Sequence, residues 1–409
     1  MSLSSSMRKN MSKSPSNKKP RTAPIRATHA TTFVETAPQN ERLESKPVLV
    51  RAARQVVTSL FNGWADLSQR ITKAMGWYPR VEPYMGYGTE KYSRLICRTI
   101  YAPVTRFASL LTRGIRSVFM VPAPKVRVRI KIDGTPLHTV QVGSSETYDR
   151  VDSARDTTAN FALSDSHGYL DLVAQGECAA GVHNVAYQVF RRKPVHAPLY
   201  TIPSSAPVGI ISDLDDTIIV TDVPRLISAT VNMLFRSPRH RKAVPGMASF
   251  YMSLRRKLPD APFFYLSTSP WNVEAALRHF IRARGFPEGP LLLRDFDPRP
   301  KTFIPSGVQH KLEFVEQLMA DFPTMQFILI GDDGQHDPQT YADIAKKYPD
   351  RILAIGIRQL EPKESLLVKG VAPTHPMPEV GVPVFYGKTG KNLQATMLDF
   401  LDRAVPESK

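Results

Sequence analysis

From residue 208 onward the sequence repeats one pattern: a short, nearly continuous apolar run, then a stretch with helical spacing. The runs are "VGIIS", "FFYLS", "PLLLRD", "QFILIGDD" and "RILAIGI"; stretches such as "VEAALRHFIRAR" and "KLEFVEQLMADF" lie between several of them. Strands apolar at every position are covered on both faces, and such strands alternating with helices build a parallel sheet. The expected fold for residues 204–409 is therefore α/β, with a Rossmann-like parallel sheet.

Two of these runs end on acids. "ISDLDDTI" places Asp213, Asp215 and Asp216 within four residues, and "ILIGDDGQHD" places Asp332 and Asp333 at a second strand end, with Asp337 shortly after. Parallel sheets bind ligands at the carboxyl ends of their strands. Carboxylates clustered there are costly unless a cation compensates them. Mg²⁺ is the natural occupant, since it takes a few carboxylates and keeps its other positions for water and phosphate. A Ca²⁺ loop is rejected: its sixth and twelfth positions, which need Gly and Glu, are Ile218 and Pro224. "GVPVFYGKT" (381–389) misses the phosphate-loop spacing by one residue between Gly381 and Gly387, and reads as a loop. Asp is also an ordinary turn and helix-cap residue. That reading accounts for one cluster better than for two, both at strand ends.

The 409 residues suggest two or three domains. Residues 1–45 are rich in Ser, Thr, Lys and Pro and read as a disordered basic tail. An organellar transit peptide is the other reading of that tail; without an apolar h-region, no secretory signal is expected. Apolar residues from Val48 to Ile71 recur at roughly helical spacing, which predicts an amphipathic helix over about 47–76. The stretch 92–122 carries Arg94, Arg98, Arg106, Arg113 and Arg116 without an acid, interleaved with apolar residues. It suits an anionic membrane surface or an apolar face packed on a neighbouring domain. Together these predict a helical region over 46–122. "KVRVRIKIDGTPLHTVQV" alternates basic and apolar residues about an Asp133-Gly134 turn, a hairpin signal, and "YLDLVA" and "HNVAYQVF" follow. Residues 123–203 are expected to form a small antiparallel β domain.

The formal net charge of +17 favours an anionic partner: nucleic acid, a membrane surface or a phosphorylated substrate. Aromatic-rich nucleic-acid motifs are absent, which disfavours the first. Cys97 and Cys178 make neither a metal pair nor a disulfide framework, which points to a reducing, cytoplasmic setting. No window approaches eighteen uncharged apolar residues, so no transmembrane helix is expected; peripheral membrane attachment is.

"DLDDT" resembles the D-x-D-x-T nucleophile motif of the haloacid dehalogenase superfamily. The superfamily's other motifs follow in order: "FFYLSTS", with Ser267 or Ser269 as the phosphate-binding hydroxyl; Lys311 in "HKLEFVEQL"; and the acidic "GDDGQHD". "ISDLDDTI", "FFYLSTSPWN", "HKLEFVEQLMADFP" and "FILIGDDGQHDPQTYADIAKKYPDRILAIGIR" are more closely similar to the actin-patch type of phosphatidate phosphatase, over about residues 205–360. "PYMGYGT" and the β segment resemble that family's preceding region more loosely, with Cys97-Arg98-Thr99 where a Gly-Arg-Val is expected.

The resemblance implies Mg²⁺-dependent hydrolysis of phosphatidate through an aspartyl-phosphate. Asp213 would be the nucleophile. Asp215 would be the general acid and then base, which favours a phosphatase because dehalogenases of this fold lack that second acid. Ser267 and Lys311 would hold the phosphoryl oxygens. The metal would be held by Asp213, Asp332 and the backbone carbonyl of Asp215, with Asp333 and Asp337 behind them. Asp216 reads as a turn former and Thr217 as a backbone anchor. "RSPRHRKAVPG" (236–246) falls where the superfamily inserts caps, and either guides an anionic headgroup or is a solvated loop. Two further function classes stay open: a phosphatase of a soluble phosphoester or phosphoprotein, and a non-catalytic adaptor for membranes or proteins. The intact acid set argues against the adaptor.

Overall fold

The computed structural model describes residues 67–102, 121–142, 149–150, 161–164, 168–189, 191–220, 242–294, 307–334, 336–360 and 377–405. The tail (1–45), the first part of the expected N-terminal helix, residues 103–120 and most of the 236–246 loop lie outside them. The described chain begins with a helix over 67–74, as its spacing predicts.

Ten strands then form one sheet. They are β1 (Tyr78–Pro83), β2 (Gly86–Thr89), β3 (Tyr92–Ala102), β4 (Val126–Ile132), β5 (Thr135–Val142), β6 (Asp149–Arg150), β7 (Phe161–Ser164), β8 (Tyr169–Gln175), β9 (Gly181–Val189) and β10 (Val195–Ile202). The order is β5-β4-β9-β10-β2-β3-β8-β7-β6, with β1 paired to β3. The β4–β5 hairpin is the one the sequence announces. Asp133 and Gly134 take φ of +47° and +83°, the left-handed conformation that a two-residue turn demands. Val126, Val128 and Ile130 face inward and Arg127 and Arg129 outward.

Two expectations need correction here. The sheet is mixed rather than antiparallel, because β10 runs parallel to β2. It also begins at Tyr78, so 78–102 are strands and not part of a helical region. The reason lies in β3, which is covered on both faces. Leu95, Cys97 and Tyr101 enter the core of this sheet, while Ile96 enters that of the following domain. Continuous burial erases the period of two that marks a strand. The arginines that suggest a wet face are paired: the Arg94 guanidinium donates to Asp171 at 2.9 Å, and Arg98 to Asn272 at 3.0 Å.

The second sheet has six strands, all parallel: β11 (Val208–Asp213), β12 (Phe263–Pro270), β13 (Leu291–Arg294), β14 (Gln326–Asp332), β15 (Ile352–Arg358) and β16 (Val384–Gly387). Helices α1 (Met247–Lys257), α2 (Glu274–Ala283), α3 (Gly307–Asp321), α4 (Asp337–Lys347) and α5 (Gly390–Ala404) accompany it. The order is β13-β12-β11-β14-β15-β16. The chain steps outward from β11 to β13, then returns to β14 on the other flank of β11. This is the doubly wound order, and the reversal opens a crevice between the carboxyl ends of β11 and β14. The "GVPVFYGKT" stretch, read as a loop, supplies the edge strand β16 and then Thr389, which caps α5 reciprocally with Asn392. An edge strand that is only partly buried carries too weak an apolar pattern to announce itself.

The two sheets share one core. Tyr84, Met85, Ile96 and Tyr169 of the first pack among the buried residues of the second. The Leu291 N–H donates to Met85 Sδ at 3.0 Å across the seam.

Candidate active site

Asp213 is the last residue of β11, and its side chain is buried. The chain turns at once: Asp216 adopts φ of +58°, a left-handed conformation that Asp tolerates better than most residues. The Arg358 guanidinium, from the end of β15, donates to the Asp216 carbonyl at 2.6 Å and holds the loop down. Thr217 comes back under the site, its hydroxyl 3.5 Å from both Asp213 Oδ2 and Asp332 Oδ2. It thus ties the two acidic strand ends together by its side chain, where the sequence suggests a backbone anchor.

Asp332 ends β14, on the other lip of the crevice. Its Oδ1 accepts the Gly334 N–H at 2.6 Å. The glycines of "IGDDG" are required here by close approach. A Cβ on Gly331 would stand 2.4 Å from Asp337 Oδ2, and one on Gly334 would stand 2.7 Å from Asp332 Oδ1. Asp337 opens α4, where a carboxylate is favoured by the helix dipole. Lys311, buried on α3, sets its ammonium 2.6 Å from Asp213 Oδ1 and also pairs with Asp337 Oδ1. Asp333 accepts the Leu360 N–H at 2.9 Å and so stands behind the site, as the sequence suggests.

Asp213, Asp332 and Asp337 bring their carboxylate oxygens within 4.8 Å of one another. Burial pushes the carboxyls of Asp213 and Asp332 well above the usual range; Asp337 adds to this at both, and Lys311 opposes it. Burial also disfavours the Lys311 ammonium, but the surrounding carboxylates outweigh it and hold that group charged. Three buried carboxylates against one ammonium leave excess negative charge. An all-oxygen set with that excess fits a hard divalent cation such as Mg²⁺. Asp337, expected behind the site, belongs to this trio. Asp215 does not contribute its carboxylate to it: Asp215 Oδ2 accepts the Ser267 hydroxyl at 3.0 Å instead. Ser267 Oγ in turn accepts the Ser269 N–H at 3.0 Å, which links both serines to Asp215. Sequence reasoning missed Arg358; its one signal was a cation closing an otherwise apolar strand at the same sheet edge as the acids.

Residues 208–359 match the family described as Phosphatidate phosphatase APP1, catalytic domain. This segment belongs to the APP1 catalytic-domain family. The match to the phosphatidate phosphatase APP1 of Saccharomyces cerevisiae is 30% identical over 212 residues, covering 50% of this chain and 35% of the yeast protein. An uncharacterized protein of Schizosaccharomyces pombe is 28% identical over 178 residues, covering 42% of this chain and 29% of its own. The chain thus spans about a third of the length of these curated relatives. Among solved structures, that of PhoD aligns over 69% of this chain and 71% of its own, at 8% identity. Its TM-score of 0.30 is too low to bear on the fold. The APP1-type segment runs from the first residue of β11 to just past β15, and so contains every acid of the site.

Proposed function

We propose that this protein is a Mg²⁺-dependent phosphatidate phosphatase that works through an aspartyl-phosphate on Asp213. The observation that carries the proposal is the crevice itself. It joins Asp213, Lys311, Asp332 and Asp337 in contact, with Asp215 held by Ser267 two residues beyond the nucleophile, all within the APP1-type segment.

A Mg²⁺ ion held by the Asp213, Asp332 and Asp337 carboxylates would neutralise the repulsion between phosphate and nucleophile. The Asp213 carboxylate attacks phosphorus in line, forming the Asp–O–P bond as the bond from phosphorus to the diacylglycerol oxygen breaks. Asp215, oriented by the Ser267 hydroxyl, gives its proton to that leaving oxygen. It then takes a proton from the water that cleaves the acyl phosphate, which frees phosphate and restores Asp213. Lys311 keeps Asp213 oriented and adds positive charge where the phosphoryl oxygens gather.

The test is phosphate release from phosphatidate in mixed micelles, beside glycerol 3-phosphate, a phosphoserine peptide and inositol phosphates under one set of conditions. Phosphatidate should be preferred, with a rate that follows its surface concentration, and EDTA should stop it. Equal or better turnover of the soluble esters would retain the phosphatase and remove the lipid. Asp213→Asn should abolish turnover, since an amide forms no acyl phosphate; full activity in that folded variant would remove the nucleophile.

A further inference from the structure

The crevice gathers its acids from β11 and β14, yet one side chain reaches it from the strand beyond. In the sheet order β14 lies between β11 and β15. Two strand spacings put the ends of β11 and β15 about 10 Å apart. Arg358 closes β15, in register with Asp332 of β14 on one side and Gly387 of β16 on the other. It is 3% exposed, and the phosphatase reading gives it no chemical step.

Its side chain and its main chain hold opposite lips of the crevice. The guanidinium reaches past β14 and donates to the Asp216 carbonyl at 2.6 Å. That carbonyl belongs to the peptide joining Asp216 to Thr217, one residue beyond Asp215. Asp216 is the residue at φ of +58°, and its own N–H donates to the Ile219 carbonyl at 2.9 Å. A left-handed backbone at a residue other than glycine persists only where its surroundings fix it. On the other lip, the Arg358 carbonyl accepts the Asp333 N–H at 2.9 Å, one residue after Asp332. The Asp333 carboxylate returns the contact by accepting the Leu360 N–H at 2.9 Å. The Gln359 N–H donates outward to the Gly387 carbonyl at 2.9 Å. Residues 358–360 thus fasten both acidic loops and anchor them to the edge strand.

We propose that Arg358 is a positioning residue for the reaction: holding the Asp216 carbonyl by its side chain and the Asp333 N–H by its main chain, it sets Asp213 and Asp215 on one lip against Asp332 on the other. This deepens the phosphatase reading and rests on it. The long side chain spans the width of β14, and its planar fork gives the bond a fixed direction that an ammonium lacks. A shift of about 1 Å between reacting groups costs about 100-fold in rate. Such a loss falls on kcat, because substrate binding in the ground state does not need that alignment.

The experiment reads phosphate release and amide exchange in the unaltered chain, Arg358→Lys and Arg358→Ala. With phosphatidate in mixed micelles, Arg358→Ala should lower kcat about 100-fold and Arg358→Lys about tenfold, with KM within about twofold in both. Hydrogen exchange is followed in metal-free protein, where turnover does not enter. In Arg358→Lys the Asp216 and Ile219 amides should exchange at least about tenfold faster, while the amides of β4 and β9 keep their rates. In the unaltered chain, which needs no variant to fold, the Asp216, Asp333 and Leu360 amides should open together across a urea series. Full kcat in a folded Arg358→Ala, a raised KM at unchanged kcat, exchange raised equally in both sheets, or separate opening of the Asp216 and Asp333 amides would overturn the positioning role. Absence of turnover in the unaltered chain would remove the phosphatase reading instead, and the two exchange measurements would then decide whether Arg358 frames the crevice.

Discussion

Asp332 can become asparagine and still accept the Gly334 N–H, because the amide keeps an oxygen where Oδ1 stands. What Asp332→Asn removes is charge, and the sign of its effect follows from the raised carboxyls. Burial, then the neighbouring acids, push the Asp332 carboxyl up. Stability linked to such a group is present below its unfolded value, near 4, and is lost as pH rises through the higher folded value. In metal-free protein, ionising the raised Asp332 carboxyl therefore works against the fold. Asp332→Asn should raise the metal-free melting midpoint at pH 7 by about 3 °C, or about 1 kcal/mol, while abolishing phosphate release. In the unaltered protein, the thermal shift produced by Mg²⁺ should grow from pH 5 to pH 8, since protons compete for the same oxygens. Differential scanning calorimetry with and without EDTA checks both; a midpoint that falls in Asp332→Asn would show that the carboxylate is already compensated. Asp213 and Asp332 could be singled out because each ends an apolar run in a short acidic string, whereas Ser267 and Lys311 came only through the family resemblance. Thr217 as a tie between strand ends was not legible, because its partners include a residue 115 positions away in the chain.

At the scale of elements, β3 shows what a single sequence hides. Its pattern lost the period of two because both faces are covered, and its arginines find partners far along the chain. Arg98 lies 4.5 Å over the Tyr169 ring and donates to Asn272, which also accepts the Tyr169 hydroxyl at 2.8 Å. Asn272 closely follows β12, the strand that carries Ser267 and Ser269, so β3 and β8 of one sheet clamp the end of that strand in the other. Arg98→Ala should cost about 1.5–3 kcal/mol in urea denaturation and lower kcat/KM. Arg98→Lys should recover little of either, since an ammonium does not stack as a planar guanidinium does. Full activity in Arg98→Ala would separate the clamp from the site. Glu274, which opens α2 just after β12, is buried with Arg278 at 3.3 Å, and burial raises its carboxyl to about 7. Its contribution is therefore present below pH 4.5 and lost as pH rises through about 7. Glu274→Gln should flatten the fall in melting midpoint between pH 5 and pH 8, and an unchanged slope would place that titration elsewhere.

At the scale of the whole molecule, the parallel sheet was legible because strands apolar at every position and acids at their ends follow from one topology. The division of the chain was less so. The sequence suggests a boundary near 203, yet the core runs through it. Tyr84 packs 5.5 Å from Trp271, and Met85, Ile96 and Tyr169 lie among the buried residues of the α/β sheet. Nor does the APP1-type segment close the sheet by itself, since β16 and α5 come after residue 359 and Leu393, Met397 and Leu401 of α5 are buried in the same core. Excising residues 204–409 would uncover Trp271 and its neighbours and leave Glu274 at a wet surface. The excised piece should therefore bind a hydrophobic dye, associate in gel filtration and lose phosphatase activity. The intact chain should unfold in one transition, with tryptophan fluorescence and far-ultraviolet circular dichroism coinciding across a urea series. A monomeric, active 204–409 fragment, or two separated transitions in the intact chain, would show that the β sheet is a detachable neighbour and that the clamp of Arg98 on Asn272 is not needed to hold the site.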